Sequence, residues 1–78
     1  MQRISLTPHA LLRLQQRFPS AAERADLLRL IDGTSPGARI ERAQNGRWSV
    51  AGKVGQRTAK AVFETRRGVI SVVTVMWL

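Results

Sequence analysis

The chain contains no cysteine, no tyrosine, one histidine and only five Asp and Glu residues. Without cysteine, disulfides and thiolate metal sites are excluded, and the redox compartment stays open, although small secreted domains are more often cross-linked. One imidazole and five scattered carboxylates offer no ligand cluster at any standard spacing, so neither a metal nor another cofactor is expected. A serine triad fails too, because none of Ser5, Ser20, Ser35, Ser49 and Ser71 sits in a nucleophile-elbow context. Gly52-Lys53-Val54-Gly55 resembles a fragment of a phosphate loop. It lacks the Lys-Ser/Thr pair and the following helix, and reads as a plain turn.

Aromatic residues are limited to two Trp and two Phe, so a core must rest on Leu, Ile, Val and Ala. Long apolar runs are missing as well. The longest, Val69 to Leu78, falls far short of the roughly 20 residues of a spanning helix. Nothing at the N-terminus has the form of a secretory apolar region with its cleavage site. A single domain over residues 1–78, in the cytoplasm and without a membrane partner, is the expectation.

Positive charge is abundant: 13 Lys and Arg against the five carboxylates give a formal net charge of +8. Eleven of the 13 are arginine, whose planar fork suits bidentate contacts with phosphate. RNA or another polyanion is the favoured partner. The plainer reading is a positive surface that keeps a small protein soluble.

Along the chain, Ile4 and Leu6 form a short apolar lead-in. Thr7 is a helix N-cap and Pro8 fits the first helical position, so a helix is predicted over Pro8 to Arg17, ended by Pro19. Ser20-Ala21-Ala22-Glu23 is a capping box, and Leu27, Leu28, Leu30 and Ile31 give the second helix an apolar face up to Gly33. After Thr34-Ser35-Pro36-Gly37 the period turns to alternation. Arg39 to Ala43 and Trp48 to Ala51 make a hairpin about Asn45-Gly46, expected as a type I′ turn. Gly52 to Gly55 is expected as a loop. Thr58 to Thr65 is a third strand, Arg66-Arg67-Gly68 a turn, and Val69 to Trp77 a fourth strand. The last is apolar on both faces and so central or covered on both sides. The expected fold is α+β, with two N-terminal helices packed on a four-stranded antiparallel sheet.

The only histidine lies in the first turn of the first helix, where spacing of four stacks His9, Arg13 and Arg17 on one face, with Gln16 beside them. Leu11, Leu14 and Phe18 line another, and Leu6 can staple onto Leu11. An imidazole above two guanidiniums suits a phosphate. Cleavage of RNA through its own 2′-hydroxyl needs a proton carrier and cations only, so His9 could move the proton while Arg13 and Arg17 stabilise the phosphorane. The plainer reading makes His9 a tolerated polar residue at a helix start. Arg42 and Lys60 are further candidate cations, and Arg66 and Arg67 are either phosphate ligands or a solvated turn. Trp48 reads as core, while Trp77 is open between core and base stacking. Thr74 is polar within an apolar strand and needs a partner if buried.

His9-Ala10-x-x-Arg13-x-x-x-Arg17, a second short helix, a Gly-containing hairpin and the closing strand Val69 to Trp77 together resemble a family of small bacterial and phage domains. That family looks like an outlying branch of the RelE/ParE-like toxin group, in the ribonuclease fold class (BECR) that also holds barnase, EndoU and the colicin tRNases. The resemblance implies a toxin-type, metal-independent endoribonuclease whose site lies where the first helix meets the strands. It places the family's helix histidine on His9, its arginine on Arg13, and a polar residue of the final strand on Thr74. The chain departs from it in having Arg17-Phe18-Pro19 where members have Arg-Gly-Ile, and in lacking tyrosine. The same fold class includes proteins that act by binding gyrase or a cognate antitoxin, so an antitoxin, an immunity protein or a host protein complex is a further expected partner. A non-catalytic phage or bacterial inhibitor using the same basic face is therefore the alternative.

Overall fold

The structure, a computed structural model, describes residues 3–78. Its elements run β1 (Arg3–Leu6), α1 (Pro8–Arg17), α2 (Ala21–Asp32), β2 (Arg39–Arg42), β3 (Trp48–Val54), β4 (Arg57–Arg66) and β5 (Val69–Trp77). The strands form one five-stranded sheet in the order β1-β5-β4-β3-β2. Neighbours are antiparallel except β1, which runs parallel to β5 with Arg3 opposite Val69 and Leu6 opposite Val72.

The expected four-stranded antiparallel sheet with two chain-opening helices is thereby corrected. The apolar lead-in is itself a strand, the sheet is mixed, and the helices follow a strand. Ile4 and Leu6 alternate with Arg3 and Ser5 and pack against the core. β5 lies between β1 and β4, the interior position that its two-sided apolar pattern called for.

The helices begin where their caps dictate. Thr7 Oγ1 accepts the Ala10 N–H at 3.1 Å, and Ser20 Oγ accepts the Glu23 N–H at 3.0 Å while donating to the Glu23 carboxylate at 3.1 Å. α2 ends on Gly33 at φ 83°, with the Thr34 N–H reaching the Arg29 carbonyl at 3.0 Å, a Schellman closure. The Asp32 carboxylate accepts from the Thr34 hydroxyl at 2.7 Å and from its N–H at 2.9 Å. These two bonds, hydroxyl first, hold the Asp32 pKa below its ordinary value, with a smaller contribution from Arg29.

One expected turn follows its glycine and one does not. Asn45 and Gly46 take positive φ of 62° and 73°, as Asn-Gly favours, but the hairpin closes one residue wider than the expected two-residue turn. The Ala43 N–H bonds the Arg47 carbonyl at 2.8 Å, and the Arg47 N–H reaches Gln44 at 3.3 Å. The expected loop at Gly52 to Gly55 is also corrected, because β3 continues to Val54. Gly52 is a strand residue on the helix side, and a Cβ there would collide with Leu30 Cδ2 of α2.

Ala10, Leu14 and Phe18 of α1 and Leu27, Leu30 and Ile31 of α2 share one core with Val50, Val54, Ala59, Ala61, Phe63, Ile70, Val72 and Val75. α1 lies over β5 and β1, and α2 over β3 and β4. Leu11, expected on the apolar face of α1, is 45% exposed. Strand alternation sends Lys60, Val62 and Glu64 to the other face, which neither helix covers.

Candidate nucleic-acid interface

Register between strands arranges this open face in rows. Arg39, Ala51, Lys60 and Met76 form one, and Glu41, Ser49, Val62 and Thr74 the next. Lys53 lies opposite Thr58 at one end of the face, and Arg66, Val69 and Arg3 make the row at the other. Arg47 and Glu64 form an ion pair at 3.0 Å between them. Two hollows of about 520 and 360 Å³ share Glu41, Ser49 and Lys60, so they join into one trough. Its wider end is lined by Arg39, Lys53, Lys60 and Thr58, and its floor by Ser49, only 6% exposed. Glu23, Asp26 and Asp32 are on α2, behind the sheet, which leaves the open face to Glu41 and Glu64 among the acids.

The candidate site residues divide between two places. Thr74, Lys60 and Arg66 share the open face, with Thr74 one row from Lys60 on the neighbouring strand. Thr74 is half-buried, so its hydroxyl is not an orphaned core group. His9, Arg13 and Arg17 are on α1. His9 is exposed, in a helix start fastened to β5 by Thr7, whose N–H bonds the Val72 carbonyl at 3.1 Å and whose hydroxyl bonds Val73 at 3.3 Å. Those carbonyls flank a bulge, since Val72 pairs with Phe63 but Thr74 with Val62, leaving Val73 as the extra residue.

Arg13 Nη1 donates to Gln16 Oε1 at 3.1 Å, and Arg17 Nη1 to the Val75 carbonyl at 3.0 Å. β1 pairs only with Val69 to Val72, so this guanidinium satisfies the exposed edge of β5 beyond that point. Among the described residues no side-chain hydrogen bond links His9, Arg13, Arg17 and Thr74 into one constellation. Arg42 is on the helix side, its guanidinium 5.2 Å from the Trp48 ring centroid. Arg67 is in the β4–β5 turn at φ 50°.

Both tryptophans face the helices. Trp77 stacks on Phe18 with centroids 4.3 Å apart and donates its indole N–H to the Arg17 carbonyl at 2.6 Å, while Trp48 packs beside the core. The open face therefore carries cations, hydroxyls and the carboxylates of Glu41 and Glu64 but no aromatic ring. Sequence reasoning missed Arg3, Arg39, Arg47 and Lys53. Strand alternation in the sequence puts Arg39 on one side with Glu41, whereas Lys53 lies in the segment that reads as a loop.

No group of three or more potential metal ligands occurs among the described residues, and no helix there is long and apolar enough to cross a membrane. The chain matches no family model, no curated protein and no solved structure with which it was compared.

Proposed function

We propose that this protein binds RNA on the open face of its sheet, in the cytoplasm. The observation that carries the reading is a cationic cluster: Arg39, Lys53 and Lys60, with Glu41 the one carboxylate beside them, line a trough that no helix covers. Cations grouped this way draw a polyanion by releasing its counterions, so affinity must fall steeply with salt. Fluorescence polarisation with a labelled RNA at about 50 and 200 mM salt tests this. An affinity indifferent to salt would point to an apolar protein interface instead.

Cleavage is the second reading, favoured by the exposed His9 with Arg13 one turn on, and by the resemblance to RelE/ParE-like toxins. In it His9 carries the proton during 2′-hydroxyl attack, Arg13 stabilises the phosphorane, and an antitoxin is the protein partner. Arg17 and Thr74 fit it less well, one being bonded to β5 and the other on the open face. Incubation of total RNA with the protein in the absence of divalent metal, followed by mapping of ends, decides between binding and cutting. Ends bearing 2′,3′-cyclic phosphate or 3′-phosphate would establish the toxin-type activity, and intact RNA the non-catalytic role.

A further inference from the structure

We infer that the RNA held on the open face is double-stranded, gripped by its backbone at two cationic poles; this rests on the RNA-binding reading above. Proteins that hold single strands use aromatic rings as their main stacking platforms, with Arg planes beside them, and proteins that hold duplex RNA read its shape, phosphates and 2′-hydroxyls. All four aromatic residues of this chain, Phe18, Trp48, Phe63 and Trp77, belong to the core or pack against it, and the open face has none. Splayed bases would find no ring to stack on.

That face offers what a duplex backbone presents to a protein. One pole is Arg39, Lys53 and Lys60, and the other is Arg3 and Arg66 across Val69. From Lys60 to Arg66 along β4 is about 20 Å, six residues at roughly 3.3 Å each. At that separation the two poles reach phosphates several steps apart along one strand of a duplex. Between them the rows carry the hydroxyls of Thr74, Ser71 and Ser5, able to donate to and accept from a 2′-hydroxyl, beside Glu41 and the Arg47-paired Glu64. Side chains cannot read the deep, narrow major groove of A-form RNA, so recognition of its backbone is largely independent of sequence.

The test is fluorescence polarisation at one fixed low salt concentration, with a labelled RNA duplex of about 16 base pairs, each of its strands alone, a second duplex of unrelated sequence, and the corresponding DNA duplex. The two RNA duplexes are expected to bind equally, and at least tenfold more tightly than either single strand or the DNA. Arg39→Ala with Lys60→Ala, and Arg3→Ala with Arg66→Ala, should each weaken duplex binding about tenfold or more, while Arg29→Ala on α2 leaves it unchanged. Circular dichroism checks that each variant folds, and Lys53→Ala, at an exposed position, serves if a double variant does not. Single strands that bind as well as the duplex, or DNA that binds as well as RNA, would overturn the inference and leave polyanion binding standing. Absence of binding to every nucleic acid at low salt would remove the RNA-binding reading itself.

Discussion

Arg17 and Trp77 hold the last turn of α1 against the last strand. The Trp77 indole N–H bonds the Arg17 carbonyl at 2.6 Å, and the Arg17 guanidinium bonds the Val75 carbonyl two residues earlier on β5 at 3.0 Å. Phe18, next in the chain, stacks on the same indole. Arg17→Ala removes a charged donor from a part-buried carbonyl, so it should cost about 1–3 kcal/mol of stability. In urea unfolding followed by tryptophan fluorescence the midpoint should fall, with RNA affinity of the folded protein nearly unchanged. A loss of affinity without loss of stability would return Arg17 to the binding site.

Gly52 lets α2 lie close on β3. Gly52→Ala places a methyl against Leu30, a fully buried side chain with little room to move, and should cost about 1–3 kcal/mol as overpacking does. Combining it with Leu30→Ala should cost less than the sum of the two single changes, because the collision disappears. Strict additivity in denaturant titrations would show that the two residues are not in conflict.

Leu27→Ala truncates a residue that is 1% exposed, and about 2–4 kcal/mol should be lost. Val73, the extra residue of the β5 bulge, is only half-buried, so Val73→Ala should cost clearly less. Equal losses would mean that Val73 belongs to the core.

Asp32 gives the fold a small acid sensitivity. Its folded-state pKa is lowered by the bonds from Thr34, so its stabilising effect is complete above the unfolded value of about 3.9 and disappears as pH falls through the folded value. Asp32→Asn should therefore lower stability at neutral pH by more than it does at strongly acid pH. A difference between parent and variant that stays constant from neutral to acid pH would contradict that linkage.

His9→Ala should leave both stability and RNA affinity close to the parent, since Thr7 and Pro8 still begin α1 and the cations of the open face are intact. If the purified protein cuts RNA, the same change should slow cutting about 10²–10⁴-fold, as loss of a positioned acid or base does. Cleavage at full rate in the variant would remove His9 from the chemistry.

Elements specified by neighbouring residues are legible in the sequence. Thr7-Pro8, the Ser20 to Glu23 box, Gly33 and Asn45-Gly46 mark their helices and turn directly, and the two-sided apolar run of β5 announces an interior strand. β1 escapes because Arg3 to Leu6 is too short to show a period, and its partner lies at the far end of the chain. Gly52 reads as punctuation because its reason, the approach of Leu30, exists only once α2 has packed.

The site divides in the same way. Helical spacing shows that His9, Arg13 and Arg17 share a face, but not that the end of this face meets the Val75 carbonyl of β5, which Arg17 binds. Lys60, Arg66 and Thr74 stand out one at a time. Their grouping with Arg3, Arg39 and Lys53 depends on the register of separate strands, which no local pattern encodes.

The parallel pairing of β1 with β5 also sets an order of events during synthesis. β1 and both helices leave the ribosome before the other strands, but β1 has no partner strand until Val69 to Val72 emerges. Until then the apolar sides of Ile4, Leu6, Ala10 and Leu14 lack the strand against which they pack, while β2, β3 and β4 can already associate through short turns. Closure of so distant a contact is slow compared with hairpin formation, and exposed apolar surface in the interval invites aggregation. Nascent chains stalled before Val69 should therefore be protease-sensitive over β1 and α1, and become resistant there only after β5 has cleared the exit tunnel.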